Sequence, residues 1–345
     1  MKLNKFFLAL SAAAVMLSSS AMAADQMKIN VVAKGFQHQF WKAVEQGTDK
    51  AAKEFAVQVD FQGPDTESNI AQQVEYLNAA IATKPAAICL AALDTMAMMD
   101  SLQMAKDENI PIIGFDSGVP NAPEGSIYAT ASTDNYAAGG LAADNLYKII
   151  KDKVDAATPQ KAIRIGVIAQ ESNSQSIVQR TKGFVDQFAK IVGQDKVSIE
   201  GHDSLKAVKK GASIILDVGI PAEVKDVDAA AVASAILEKP DIIAIYGSNE
   251  FATNAIITAN EGLDILGADQ VIAVGFDAGT KVLDAMEDGV LQGAVTQNPV
   301  QIGYQAVRLA VDAVNGKDVS DVDTGAIWYN KENMMDPEVS VCLYR

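Results

Sequence analysis

Ile110-Pro111-Ile112-Ile113-Gly114-Phe115-Asp116-Ser117-Gly118 and Val271-Ile272-Ala273-Val274-Gly275-Phe276-Asp277-Ala278-Gly279 carry the same phrase, Gly-Phe-Asp-Xaa-Gly, behind a short apolar run. A β-branched run that stops at a glycine-flanked aspartate reads as a buried parallel strand ending in a tight loop. One copy would mean little. Two copies, each at the carboxyl end of a strand, predict two similar α/β domains, each presenting an aspartate at its ligand-binding edge. If those edges face each other, Asp116 and Asp277 share one cleft.

Working outward, strand and helix alternate. Lys28–Ala33 reads as a strand, Phe40–Phe55 as an amphipathic helix and Val57–Gln62 as a strand. Asn69–Thr83 follows as a helix, Ala86–Ala91 as a strand and Thr95–Glu108 as a helix. The pattern restarts after Tyr128–Ala131 with a long helix from Asn135 to Lys151, for which Asp134 is the expected cap. Then come strands at Ile163–Ala169, Val197–His202, Ile242–Tyr246, Val271–Phe276 and Gly293–Thr296. Helices are expected at Ser174–Val192, Ala229–Glu238, Ala252–Asn260, Lys281–Asp288 and Gln301–Val314. Such alternation implies parallel sheets with helices on both faces. The stretch Ser204–Asp228 has no clear period and reads as an insertion or irregular loop.

The length, 345 residues, is comfortable for two such domains. A formal net charge of -16 argues against a nucleic-acid partner and for a soluble monomer. The amino terminus reads as a signal peptide: Lys2 and Lys5, the apolar Phe6–Leu17, then Ala21-Met22-Ala23, so the mature chain is expected to begin near Ala24. No cysteine lies near that point to carry a lipid, which favours a free periplasmic protein. Export permits a disulfide, but Cys89 sits in an apolar strand, and two unpaired thiols are expected.

Catalysis finds little support. His38 and His202 have no second ligand at metal spacing, and no serine-nucleophile or phosphate-loop signature is present. A glycosidase carboxylate pair would need two unlike environments, whereas the two aspartates stand in matching contexts. No catalytic residue, cofactor or metal is expected. Binding of a neutral polyhydroxylated ligand fits better, because it needs aromatic faces and groups that exchange several hydrogen bonds. Phe36, Phe40 and Trp41 follow the first strand, with His38 and Lys34 nearby. Arg180 lies on the Ser174–Val192 helix, while Asn249 and Gln297 follow strand ends.

On these residues the chain resembles the ribose/galactose-type (type I) periplasmic sugar-binding proteins of bacterial ABC importers. The matching phrases include Phe40-Trp41-Lys-Ala-Val-Glu-Gln-Gly47, Asn109-Ile-Pro-Ile-Ile-Gly-Phe-Asp116, Ser132-Thr-Asp-Asn135 and Arg180-Thr-Lys-Gly-Phe184. Gly247-Ser-Asn249, Val274-Gly-Phe-Asp277 and Thr296-Gln-Asn-Pro-Val-Gln-Ile-Gly303 extend the likeness across nearly the whole mature chain. The resemblance implies an α/β fold of two Rossmann-like lobes with parallel sheets, joined by a three-stranded hinge that closes on a ligand. The lobes would comprise residues 24–132 plus 298–325 and 133–297 plus 326–345, after a signal peptide at 1–23.

It also implies stacking aromatics at Phe40 and Trp41, hydroxyl-binding groups at Asp116, Arg180, Asn249, Asp277 and Gln297, and a polar residue at His38. Its partners would be a monosaccharide or cyclic polyol and an ABC permease with its ATPase. A sensor presenting a sugar or furanosyl signal to a chemoreceptor is the alternative. Ribose binders usually carry arginine after the first aspartate, where Ser117 stands, and an asparagine where Ala91-Ala92-Leu93-Asp94 runs. The departures point away from ribose and leave a hexose, another pentose, a deoxysugar or inositol open. A transcriptional repressor of the same fold is excluded by the signal peptide and the negative charge.

Overall fold

The computed structural model describes residues 26–345, so the expected signal peptide and its cleavage site lie outside the described residues. The chain runs β1 (Lys28–Val32), α1 (Gln39–Phe55), β2 (Gln58–Gln62), α2 (Ile70–Ala82), β3 (Ala87–Leu90), α3 (Met99–Asp107), β4 (Ile112–Phe115) and β5 (Ile127–Ser132). Helix α4 (Asn135–Asp155) leads to β6 (Ile163–Ile168), α5 (Gln175–Val192), β7 (Val197–Glu200), β8 (Ile214–Gly219), α6 (Asp226–Leu237) and β9 (Ile242–Gly247). Then follow α7 (Glu250–Leu263), β10 (Ile272–Phe276), α8 (Thr280–Glu287), β11 (Leu291–Gln297), α9 (Pro299–Val314), β12 (Val322–Asp323) and β13 (Ala326–Tyr329).

These strands form two sheets, ordered β12-β5-β4-β3-β1-β2 and β13-β11-β10-β9-β6-β8-β7. The first is parallel throughout, with Ile29 opposite Ala87 and Val31 opposite Cys89. In the second only β13 is antiparallel, pairing Ala294 with Tyr329 against β11. The strand order reverses beside β1 in one sheet and beside β6 in the other, and ligands of open α/β sheets bind at the carboxyl ends of such switch points. The chain passes between the sheets after β5, after β11 and after β12. Two of these passages are tied together: Thr324 N–H donates to Ser132 O at 3.0 Å, and Thr133 Oγ1 to Gly325 O at 3.2 Å.

Each sheet buries apolar residues on both faces, as a parallel sheet must. Ile29, Val31 and Ile113 pack under α1 and α9, while Ile88, Leu90 and Ile112 pack under α2 and α3. In the second sheet Phe184, Phe188 and Tyr246 fill the side beneath α4 and α5, with Phe184 and Tyr246 stacked 4.3 Å apart. Burying a side chain of this size contributes about 1.5–3 kcal/mol. Helices α1 and α9 meet through Gly47 and Gly303, where a Cβ would lie 2.0 Å from Val300 O and 2.1 Å from Val44 O. Helices α4 and α5 meet in the same way through Gly139 and Gly183. Cys89 and Cys342 are both buried and unpaired.

One reading of the sequence is corrected. The stretch Ser204–Asp228, expected as an insertion or irregular loop, holds β8, an interior strand between β6 and β7. Its apolar run is broken by Asp217, which accepts from Arg164 Nη1 at 2.8 Å and Lys239 Nζ at 2.5 Å. Helix α3 starts at Met99 instead of Thr95, because Asp94 Oδ1 accepts from the N–H groups of Met96 and Ala97, each at 2.8 Å. That local turn competes with the helix. Helix α4 runs on to Asp155, past the expected Lys151, and α6 begins at Asp226, with two acids in its first turn. Asp134 caps α4 as expected, accepting from Ala137 N–H at 2.9 Å.

Candidate functional site

The repeated phrase builds matching corners. Asp116 and Asp277 both have left-handed backbone, with φ of 54° and 68°. This region is uncommon outside glycine and most accessible to short polar residues. Each aspartate still extends its strand by one bond: Asp116 N–H donates to Ala131 O at 3.0 Å, Asp277 N–H to Val295 O at 2.6 Å. The first glycine lets the next layer approach, since a Cβ at Gly114 would meet Thr130 Oγ1 at 2.6 Å and one at Gly275 would meet Thr253 Cγ2 at 2.5 Å. The phenylalanine supports a site residue. Phe276 lies 4.1 Å beneath the Arg180 guanidinium, and Phe115 meets Trp41 edge-on at 6.2 Å.

Between the carboxyl ends of the two sheets lies a small cavity of about 20 Å³, lined from both sides. Glu67, in the loop after β2, accepts from Trp41 Nε1 at 2.7 Å and from Gln170 Nε2 at 3.0 Å. Lys34 Nζ and His38 Nε2 stand 3.8 and 3.9 Å from the same carboxylate. Lys34 also reaches across to Ser174 Oγ at 3.4 Å. Asn249 donates to Gln170 Oε1 at 2.7 Å and caps α7 by accepting from Ala252 N–H at 3.0 Å. Arg180 donates through Nε to Asn135 Oδ1 at 2.8 Å and through Nη1 to Asp277 at 3.4 Å, while its Nη2 stands 3.9 Å from Asp116. Asp277 also accepts from Gln297 Nε2 at 2.7 Å and Glu250 N–H at 3.2 Å. At the rim Gln39 Oε1 accepts from Thr280 N–H at 2.7 Å. Residues of the two sheets thus bond directly, and the cleft is closed.

The carboxyl groups are held in different states. Burial would raise Glu67, but the charges of Lys34 and His38 and the bonds from Gln170 and Trp41 prevail, so its pKa lies below the ordinary value. For Asp116 burial prevails over Lys34 and Arg180, and Asp277 and Glu67 add to it; the carboxyl is pushed up to about 6. Glu250, beside Asp277 and Glu67, is pushed up to about 8, chiefly by burial.

All eight residues expected at the site, His38, Phe40, Trp41, Asp116, Arg180, Asn249, Asp277 and Gln297, line this cavity. Phe40 and Trp41 also belong to the core of the first sheet, where they are 6% and 2% exposed. His38 is at the entrance, edge-on to Phe251 at 6.2 Å. The two aspartates do not have the matching environments expected of them. Asp277 is hydrogen-bonded on both oxygens by groups from its own sheet's half, Gln297 and the Glu250 N–H, whereas Asp116 has an ion-pair partner only at 3.9 Å, Arg180, which comes from the other sheet's half. Lys34, which the sequence places near the aromatics without a site role, also lines the cavity, as do Glu67, Ser176 and Glu250, which the sequence reading does not single out. Glu67 and Glu250 follow the carboxyl ends of β2 and β9, and that position is the signal that would have found them.

Two parallel sheets closing a polar cavity between their carboxyl ends define a two-lobed binding protein of the type I periplasmic binding fold. The chain belongs to the periplasmic binding protein domain family, whose model matches residues 29–318. It is 26% identical over 314 residues to the D-allose-binding periplasmic protein of Escherichia coli K12, covering 90% of this chain and 91% of that one. Among solved structures, a Brachyspira murdochii protein described as an ABC transporter, LacI family transcriptional regulator superposes with a TM-score of 0.78 and 35% identity, over 93% of this chain and 99% of that one. A carbohydrate transporter solute-binding protein from Agrobacterium radiobacter, in complex with D-arabinose, gives the same score at 26% identity, over 93% and 100%. The family is one of solute-binding proteins, not of enzymes.

Proposed function

We propose that this protein captures a monosaccharide or cyclic polyol in the periplasm and delivers it to an ABC permease with its ATPase. The observation that carries the reading is the convergence of Asp116, Arg180, Asn249, Asp277 and Gln297 from two sheets onto one buried cavity. Such a set exchanges several hydrogen bonds with neighbouring hydroxyls, while Phe40 and Trp41 offer apolar surface to ring carbons. The relative named for D-allose and the similar structure in complex with D-arabinose support a sugar. The site performs no covalent step.

The moving bodies are residues 24–132 plus 298–325 and 133–297 plus 326–345, after removal of a signal peptide near Ala23. Ligand stabilises the closed arrangement because only that arrangement touches it from both lobes. The permease then distinguishes closed from open.

Thermal unfolding of the mature chain, first unfolded and refolded to strip any carried ligand, tests this against pentoses, hexoses, deoxysugars and inositols. A ligand at a hundredfold excess over its dissociation constant stabilises the fold by about 2.7 kcal/mol. A clear shift with one stereochemical group is expected. No shift with any of them would refute the reading.

A further inference from the structure

We propose that the ligand carries a protonated amine, so that the cleft takes an amino sugar or amino polyol in preference to the neutral compound of the same size. The inference rests on the reading of the cleft as a polyol site and narrows its ligand class. Four carboxyl groups line the cavity, Glu67, Asp116, Glu250 and Asp277, against two permanent cations, Lys34 and Arg180, and the His38 ring 3.9 Å from Glu67. The four acids and the two permanent cations belong to residues no more than 6% exposed, so water screens the excess poorly.

The bonding is uneven as well. Glu67 and Asp277 are well supplied with donors, from Trp41 and Gln170 and from Gln297 and the Glu250 N–H. Three acceptors remain under-supplied. Gln297 Oε1 is buried with no hydrogen-bond partner among the described residues. The Asp116 carboxylate has Arg180 Nη2 only at 3.9 Å. Glu250 receives Tyr344 Oη at a long 3.4 Å and has the Phe40 backbone N–H beside it, which together do not offset its burial. Burial and neighbouring carboxylates hold both acids above the ordinary carboxylate range, despite Lys34 and Arg180 beside Asp116. The two permanent cations therefore leave the four acids short of positive charge; Glu250 meets the shortfall at pH 7 by keeping its proton, which an ammonium group would displace.

A sugar hydroxyl brings an acceptor with every donor, and a ring oxygen brings an acceptor alone. An ammonium group brings three donors, a positive charge and no acceptor. It is complementary to the under-supplied side of the cavity, while Lys34 and Arg180 serve the remaining hydroxyl oxygens.

Titration calorimetry at pH 7 on the refolded mature chain tests this with matched pairs: D-glucosamine and D-glucose, D-galactosamine and D-galactose, D-mannosamine and D-mannose, and the three N-acetyl derivatives. At least one amine should bind tenfold or more tightly than its hydroxyl counterpart, with N-acetylation erasing the gain. Glu250→Gln or Asp116→Asn should reduce the ratio of amine to hydroxyl affinity. Equal or tighter binding of the neutral sugar would overturn the inference and leave the polyol reading intact. A ratio unmoved by both substitutions would overturn it too. Absence of binding by every member would overturn this inference, while the polyol reading would fall only if the pentoses, deoxysugars and inositols of the unfolding panel also gave no shift.

Discussion

Replacing Glu250 with glutamine should flatten the dependence of stability on pH. Glu250 opens α7 with its side chain in the closed cleft, and its carboxyl is raised from the ordinary 4.5 to about 8 by burial, then by Asp277 and Glu67. A raised folded value means that the folded chain holds the proton more tightly than the unfolded one. The associated stability is complete below 4.5 and is lost as pH rises through about 8. The interval corresponds to roughly 5 kcal/mol, an upper bound. The bound arises because the molecule has a second way out: opening the cleft rehydrates Glu250 without unfolding either lobe. Asp116 acts with the same sign in a lower window, between the ordinary 3.8 and about 6. Glu67, held low, acts oppositely: its contribution is present above its ordinary 4.5 and is lost as pH falls through its lower folded value. Between pH 6 and 8 Glu250 therefore dominates among these three acids. Denaturant titrations and X-ray scattering on the wild type and Glu250→Gln, from pH 5 to 9, read both routes. The wild type should lose stability, or gain radius of gyration, as pH rises from 6 to 8, and the variant should do so much less. Parallel profiles in both measurements would refute the reasoning.

Three further outcomes follow from the geometry. Asp116→Ala should weaken binding of whichever panel sugar shifts the unfolding temperature most by a hundredfold or more, read by calorimetry, because charge-assisted bonds contribute strongly in a buried site; the circular dichroism spectrum should not change. Gly139→Ala would place a methyl 2.2 Å from Arg180 O and should destabilise the fold by about 1–3 kcal/mol by overpacking. In contrast Gly140→Ala, whose Cβ would find Gln187 Cβ at 3.5 Å, should be neutral or stabilising by up to about 1 kcal/mol in denaturant titrations. Trp41→Phe removes the donor that Glu67 accepts at 2.7 Å and should lower stability by about 1–3 kcal/mol, seen as a lower denaturant midpoint.

Much of this architecture was legible because buried parallel strands announce themselves as β-branched runs. The runs ending at Asp116 and Asp277 are uninterrupted, and both strands and their sheet edges follow from them. Strand β8 was not legible for the same reason in reverse. Asp217 interrupts its run, and the partners that make a buried aspartate tolerable, Arg164 and Lys239, are 53 and 22 residues away. Strands β12 and β13, two and four residues long, are too short for any period to show. At the site, the residues carried by the recurring phrases were legible. Glu67 and Glu250 were not, because their significance depends on charges that reach them across the cleft, and that proximity exists only once both sheets have formed.

The repeat visible in Gly-Phe-Asp-Xaa-Gly extends to how the two halves are joined. Helix α4 leaves the first sheet after β5 and packs on α5 of the second; helix α9 leaves the second sheet after β11 and packs on α1 of the first. Both contacts are made backbone to backbone through paired glycines, Gly139 with Gly183 and Gly47 with Gly303. Such contacts have no long side chains to take up slack, so each crossover helix travels with the sheet it joins. Rotation between lobes must then fall on the short links beyond β5, β11 and β12. The first link is coupled to the site by one side chain. Asn135 donates to Thr133 O at 3.0 Å and to Asp116 O at 3.5 Å, and accepts from Arg180 Nε at 2.8 Å. Arg180 in turn lies between Asp116 and Asp277, the two aspartates of the repeat. A change of backbone at residues 133–134 therefore moves the cation that both lobes share. Under the proposed capture by closure, hinge angle and the geometry of the cavity are in this way a single variable.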